Sequence, residues 1–141
     1  MGKRKRKTKK QLEKIKADPY SVYWKKKALI FWGKVIRKRD GKCLYCGSKK
    51  GLNAHHLLPK ESYPLYMFAL DNGFTLCTKN HKWGNPSAHK HGIWFSKFLK
   101  EKYPKILALA EKRVNNYGKL DYKINYKQEF YKLQKIYDGR K

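Results

Sequence analysis

The stretch Asp40–Pro59, DGKCLYCGSKKGLNAHHLLP, brings a Cys-x-x-Cys pair and an adjacent His pair into one short segment. Asp40-Gly41 is a helix stop, Cys43-Leu44-Tyr45-Cys46 a tight turn, and Gly51 a second break. Leu52–Leu58 is apolar and Pro59 closes it. Together these signals predict a hairpin over Lys42–Leu58 built on the Cys-x-x-Cys turn. Outward from it, Ser21 is a plausible N-cap for a helix over Val22–Arg37, in which Trp24, Ala28, Phe31 and Val35 share one face. On the other side Lys60–Leu70 reads as a loop, Asp71-Asn72-Gly73 as a turn and Phe74–Leu76 as a short strand. Cys77–Asn85 is knuckle-like. Pro86-Ser87 suits the start of a helix reaching Lys102, which Tyr103-Pro104 breaks. Two more helices are expected over Lys105–Asn116, stopped at Gly118, and over Asn125–Tyr137, where Tyr126, Phe130, Leu133 and Tyr137 keep helical spacing. The class is α+β: a small strand pair with a Cys-bearing hairpin, flanked by N- and C-terminal helices. Three regions follow: a basic arm over residues 1–18, a core with its preceding helix over 19–103, and a helical extension over 104–141.

Charge is the outlying property of the composition. The 141 residues hold 36 Lys and Arg against 10 Asp and Glu, a net charge of +26. Such an excess repels itself unless a polyanion neutralises it, so nucleic acid is the leading partner and an acidic membrane surface the second. No apolar run approaches the roughly 18 residues of a membrane span. The basic start is not followed by the apolar segment of a secretion signal. A cytoplasmic protein is therefore expected. Met1–Lys16 carries nine Lys and Arg and one Glu, and reads as a mobile arm, helical at most near Gln11–Lys16. Lys3, Arg4, Lys5, Arg6 and Lys7, with Lys25, Lys26 and Lys27, are the candidate phosphate contacts; a merely solvated tail is the alternative.

The chemistry-bearing residues are concentrated. Cys43, Cys46, His55, His56, Asn72, Cys77, His81 and His89 follow one another within less than half of the chain, with His91 just beyond. The three Cys are an odd number, which excludes a fully paired disulfide framework and favours a metal site or a redox pair. Cys43 and Cys46 can offer two thiolates to one tetrahedral ion and Cys77 a third. A return knuckle would put a fourth Cys at position 80, where Asn80 stands, and zinc does not ordinarily choose an Asn side chain. Either His81 supplies the fourth ligand or the site has decayed; three small buried hydrophobes are the bland reading. His55 and His56, consecutive on an extended segment, point to opposite faces, so one can bind a metal while the other addresses a substrate.

The segments Asp40–Gly47, Ala54–Pro59 and Leu70–Cys77, followed by His81, resemble the HNH endonucleases, and most closely the small phage-type members. The resemblance covers roughly Arg39–Leu99. It implies a ββα-metal finger with a zinc knuckle, and cleavage of DNA phosphodiester bonds with one divalent ion (Mg²⁺, Mn²⁺, Ni²⁺ or Zn²⁺), beside a structural Zn²⁺. A phage-encoded member would work in the host cytoplasm. By motif position His56 is the general base, and His55 and His81 are metal ligands. Asn72 orients His56, by accepting its second N–H or by holding the turn. His89, near the start of the expected Ser87–Lys102 helix, is the rival ligand should His81 go to zinc. His91 is expected to be a surface residue. The residue types suit the reaction: a neutral imidazole takes a proton from water at neutral pH, and a divalent ion stabilises charge building on phosphate. A zinc-stabilised nucleic-acid-binding protein without catalysis shares the charge and the Cys set, but does not need the His pair and Asn72 in this order.

Overall fold

The computed structural model describes residues 2–117 and 123–139. The expected stop at Gly118 lies outside them. The order is α1 (Lys9–Ala17), α2 (Val22–Asp40), β1 (Leu52–His56), β2 (Gly73–Cys77), a π-helical turn (Lys79–Trp83), α3 (Gly92–Lys102), α4 (Pro104–Asn115) and α5 (Tyr126–Tyr137). The class is α+β, with a two-stranded antiparallel sheet and helices on both sides of it in sequence. The chain divides into two compact units, residues 1–31 with 122–141 and residues 32–121. The C-terminal extension is shared between them: α4 belongs to the second unit and α5 to the first. Among the described residues no helix is long and apolar enough to cross a membrane.

In the first unit α1 is longer than its sequence suggests. Thr8 accepts the Gln11 N–H while the Gln11 side chain accepts the Thr8 N–H, a reciprocal cap that satisfies two exposed donors at once. Ser21 does start α2, its carbonyl accepting the Lys25 N–H, but its hydroxyl donates back to the Ile15 carbonyl at 2.9 Å. Trp24 ties its indole N–H to the Lys16 carbonyl and packs its ring on Phe130 and Tyr131. Phe31 meets Phe130 and Tyr137 edge-on. The helical spacings of α2 and α5 thus face one another across aromatic rings, with Phe130 and Leu133 buried.

In the second unit β1 and β2 pair in the register Leu52↔Cys77 through His56↔Gly73. The partner of the Leu52 segment is therefore β2, and not the Cys-x-x-Cys segment of the expected hairpin. Cys43–Gly47 is a closed turn, with the Gly47 N–H on the Cys43 carbonyl and φ +78° at Gly47, and it lends β2 one bond from the Leu44 N–H to the Thr75 carbonyl. The turn cannot extend as a strand because its sulfurs converge on the far end of β2. Behind the sheet lie Phe74, Leu76, Phe95 and Leu99, all buried, with Trp94, Phe98 and Tyr103 around them. At the free edge of β2 the Asp40 carboxylate accepts the Thr75 N–H at 3.0 Å, so the residue that ends α2 also docks β2.

Gly73 is extended, with φ −117°, so its backbone places no demand for glycine. Space does: a Cβ there would come within 2.5 Å of Ile36 and 2.7 Å of Trp32, both buried. Gly73→Ala is expected to destabilise the second unit by about 1–3 kcal/mol through overpacking. The check is the midpoint of denaturant unfolding, and a midpoint equal to that of the parent would show that α2 can move aside freely.

The third helix begins at Gly92, not Ser87. The intervening backbone is committed elsewhere: Ala88 N–H donates to the Asn80 carbonyl, His89 N–H to the His81 carbonyl, and Ser87 N–H to the His91 ring Nδ1. The Ala88 and His89 donors bind the 86–91 turn to the π-helical turn, and the Ser87 donor closes the turn on the His91 ring. His91, half-buried, holds this turn and is not merely a surface residue.

Candidate metal centre

Two clusters of metal-ligating side chains stand in the second unit. The first joins His55 from β1, His81 from the π-helical turn and His89 from the turn before α3; one ring nitrogen of each lies within 4.8 Å of the other two. His81 Nε2 and His89 Nε2 are 3.0 Å apart. The His55 ring meets His81, His89 and Phe95 edge-on, at centroid distances of 5.2, 5.0 and 5.2 Å. The two ligand candidates that compete in the sequence are thus side by side, because the His89 N–H bond to the His81 carbonyl brings their segments together.

Burial, reinforced by the neighbouring imidazoles, pushes His55 down to about 3. Burial, with His89 and Lys82, pushes His81 down to about 4, and His89 is lowered by burial and then Lys82. All three rings are neutral at pH 7, the form in which imidazole binds metal. The donor set therefore fits a divalent ion. Three nitrogens suit Zn²⁺, Ni²⁺ or Mn²⁺ better than Mg²⁺, which favours oxygen ligands.

His56 faces the other way. Its ring stacks on Trp32 with centroids 3.8 Å apart and planes 10° from parallel, and its Nε2 lies 2.9 Å from the Met67 carbonyl. A carbonyl only accepts, so Nε2 carries the hydrogen and Nδ1 keeps its lone pair. Burial lowers the pKa of His56, opposed by the Met67 carbonyl and aided by Lys60. His55, His56, His81 and His89 together line an open cleft of about 980 Å³ that also takes in Lys60, Glu61 and Lys82.

Asn72 is 1% exposed, and its side chain serves backbone alone. Oδ1 accepts the Leu58 N–H at 2.8 Å, and Nδ2 donates to the carbonyls of Leu58 and Tyr66 at 3.1 Å each. Of the two roles open to Asn72, the geometry is that of holding the turn. It clamps the chain after β1 to the segment next to Met67, whose carbonyl fixes the His56 ring.

The second cluster is Cys43, Cys46 and Cys77, the first and last buried and Cys46 exposed. Burial raises the Cys77 thiol. Burial acts the same way on Cys43, but hydrogen bonds from the backbone of Cys46, Cys77 and Tyr45 outweigh it and lower that thiol. His81 is taken up by the His cluster. Sequence reasoning did not find Trp32 or the Met67 carbonyl beside His56. Trp32 was within reach, one residue from the predicted apolar face; a backbone carbonyl leaves no trace in residue identity.

Of the candidate phosphate contacts, Lys3, Arg4, Lys5, Arg6, Lys7 and Lys26 are exposed, whereas Lys25 and Lys27 are half-buried. Lys27 Nζ lies 4.9 Å from the Tyr23 ring centroid and 5.7 Å from that of Trp24. Compared with protein-family models, curated proteins and solved structures, the chain shows no significant match to any of them.

Proposed function

We propose that the chain is a metal-dependent DNA endonuclease of the HNH kind, in which β1, β2 and α3 form a ββα-metal finger. The observation that carries this reading is the convergence of His55, His81 and His89 on one side of a cleft that His56 also lines. A divalent ion held by the three imidazoles would supply positive charge to the phosphate oxygens and the departing 3′ oxygen. The chain's own residues do the rest. His56, neutral and with its lone pair on Nδ1, takes the proton from the attacking water. Met67 holds the opposite N–H and so fixes the tautomer, Trp32 holds the ring plane, and Asn72 holds the loop that carries Met67. Lys60 and Lys82 line the cleft beside Glu61 and Glu111, with Lys60 paired to Glu61, so the attraction for a phosphate there would come from the bound ion and from the net positive charge of the chain. The Cys cluster is read as a structural zinc site, apart from the chemistry.

The test is conversion of supercoiled plasmid to nicked or linear DNA. Chelated protein is expected to be inactive and to recover with Mn²⁺, Ni²⁺ or Zn²⁺ more fully than with Mg²⁺, in line with three nitrogen donors. Plasmid that is bound but left intact with every one of these ions would instead favour a zinc-stabilised nucleic-acid-binding protein.

A further inference from the structure

Asn80 occupies the place where the pattern of cysteines lacks a fourth. It lies on the π-helical turn and is 2% exposed. Its Nδ2 donates to the Pro86 carbonyl at 3.0 Å, and since a carbonyl only accepts, this bond fixes which end of the amide faces the sulfurs. The end that faces them is Oδ1, 3.1 Å from Cys77 Sγ and 3.6 Å from Cys43 Sγ. Cys46 Sγ is in turn 3.7 Å from Cys77 Sγ.

We infer that Asn80 Oδ1 is the fourth corner of a metal site completed by Cys43, Cys46 and Cys77, suited to a zinc-like divalent ion. With metal–sulfur bonds of about 2.3 Å and a metal–oxygen bond of about 2.0–2.2 Å, a tetrahedron has sulfur–sulfur edges of about 3.8 Å and sulfur–oxygen edges of about 3.5 Å. The 3.7 Å and 3.6 Å separations match those edges. The 3.1 Å separation is the one that must lengthen by a few tenths. His81, the other candidate for this corner, has its ring among His55 and His89. Two consecutive side chains of one turn thus serve two clusters. An amide oxygen is neutral and harder than a thiolate, so the site carries one negative charge fewer than a four-thiolate site and binds soft ions less tightly. The rival arrangement uses the same atoms without metal, with the thiols donating to Oδ1.

Cobalt distinguishes the two. Titrated into the reduced full-length protein, Co²⁺ bound by thiolates produces a near-ultraviolet sulfur-to-metal absorption that imidazole ligands do not give, so ion taken up by the His cluster adds nothing to the band. The parent is expected to show this band saturating between one and two equivalents of added Co²⁺, since the His cluster can take up a second ion. Asn80→Leu should weaken the affinity read from the band by at least about tenfold, as loss of a group at a metal site commonly does. Asn80→Asp keeps an oxygen in place and should bind at least as tightly as the parent. Asn80→Cys should make the band about one third stronger, because a fourth thiolate joins three. Absence of the band in the parent would overturn the inference in favour of the hydrogen-bonded arrangement. A Leu variant titrating like the parent would overturn it too. Should the Leu variant not fold, Asn80→Cys decides: a band of unchanged strength would mean that position 80 does not reach the metal. Plasmid cleavage has no part in these readings, so they stand or fall apart from the nuclease proposal.

Discussion

Replacing His56 by Ala is expected to slow plasmid cleavage by about 10²–10⁴-fold, the usual worth of a positioned general base, while DNA affinity stays within a few-fold of the parent. The reasoning runs through the ring's three attachments. The Met67 carbonyl takes the Nε2 hydrogen, the Trp32 face holds the ring plane, and burial keeps the imidazole neutral, so Nδ1 is a ready proton acceptor at pH 7. None of these attachments is a phosphate contact, which is why binding should survive. Removing the ring also uncovers one face of Trp32, so the melting temperature belongs beside the rate. Asn72→Ala offers a comparison. It leaves His56 in place but frees the loop at Leu58 and Tyr66, and should lower both stability and rate, whereas His56→Ala should lower mainly the rate. A His56→Ala protein that is folded and cuts within a few-fold of the parent would remove His56 from the role of base.

The parts of the fold that were legible in the sequence are those set by local chemistry. Trp24, Ala28 and Val35 recur at helical spacing and are buried on α2, and Phe130 and Leu133 do the same on α5. Asp40-Gly41 stops α2 as expected, with Gly41 at φ +69°. What was not legible depends on partners distant in sequence. The Leu52–Leu58 segment carries no mark of whether it pairs with the Cys turn or with Phe74; the choice falls to β2 because its far end delivers Cys77 to the other two sulfurs. Pro86-Ser87 has the look of a helix start, yet the Ala88 and His89 N–H groups fold back onto the Asn80 and His81 carbonyls and the regular helix begins only at Gly92. The same bonds explain why His81 and His89 seemed to be rivals. Their spacing in sequence says nothing of a backbone bond between them, and that bond places the two imidazoles together. For the candidate site, residue order pointed to side chains that the fold brings together, but the tautomer of His56 and the part played by Asn72 rest on backbone groups.

The second large effect concerns DNA affinity, which is expected to be high, largely independent of sequence and steeply dependent on salt. Basic residues acting on phosphates position a protein but do not read bases, and the +26 net charge is what remains after all 10 Asp and Glu are set against the 36 Lys and Arg. Each phosphate neutralised releases condensed counterion, so about 6–10 contacts would cost roughly 10³–10⁵-fold in affinity between 50 and 200 mM salt. Lys3, Arg4, Lys5, Arg6 and Lys7 precede the Thr8–Gln11 cap of α1 and are all exposed, so they can be removed without uncapping the helix. Deleting residues 1–7 should weaken binding and flatten the log–log salt slope by up to about 4–5, near 0.9 for each of the five cations that contacts a phosphate. Cleavage at low salt should persist, because the His cluster and His56 belong to the other unit of the chain. Lys25 and Lys27 lie against aromatic rings and should contribute less to the slope than exposed Lys26. The measurement is a binding titration at several salt concentrations for the full-length and shortened proteins. Parallel lines would mean that the arm leaves the phosphates alone and serves only as a solvated tail.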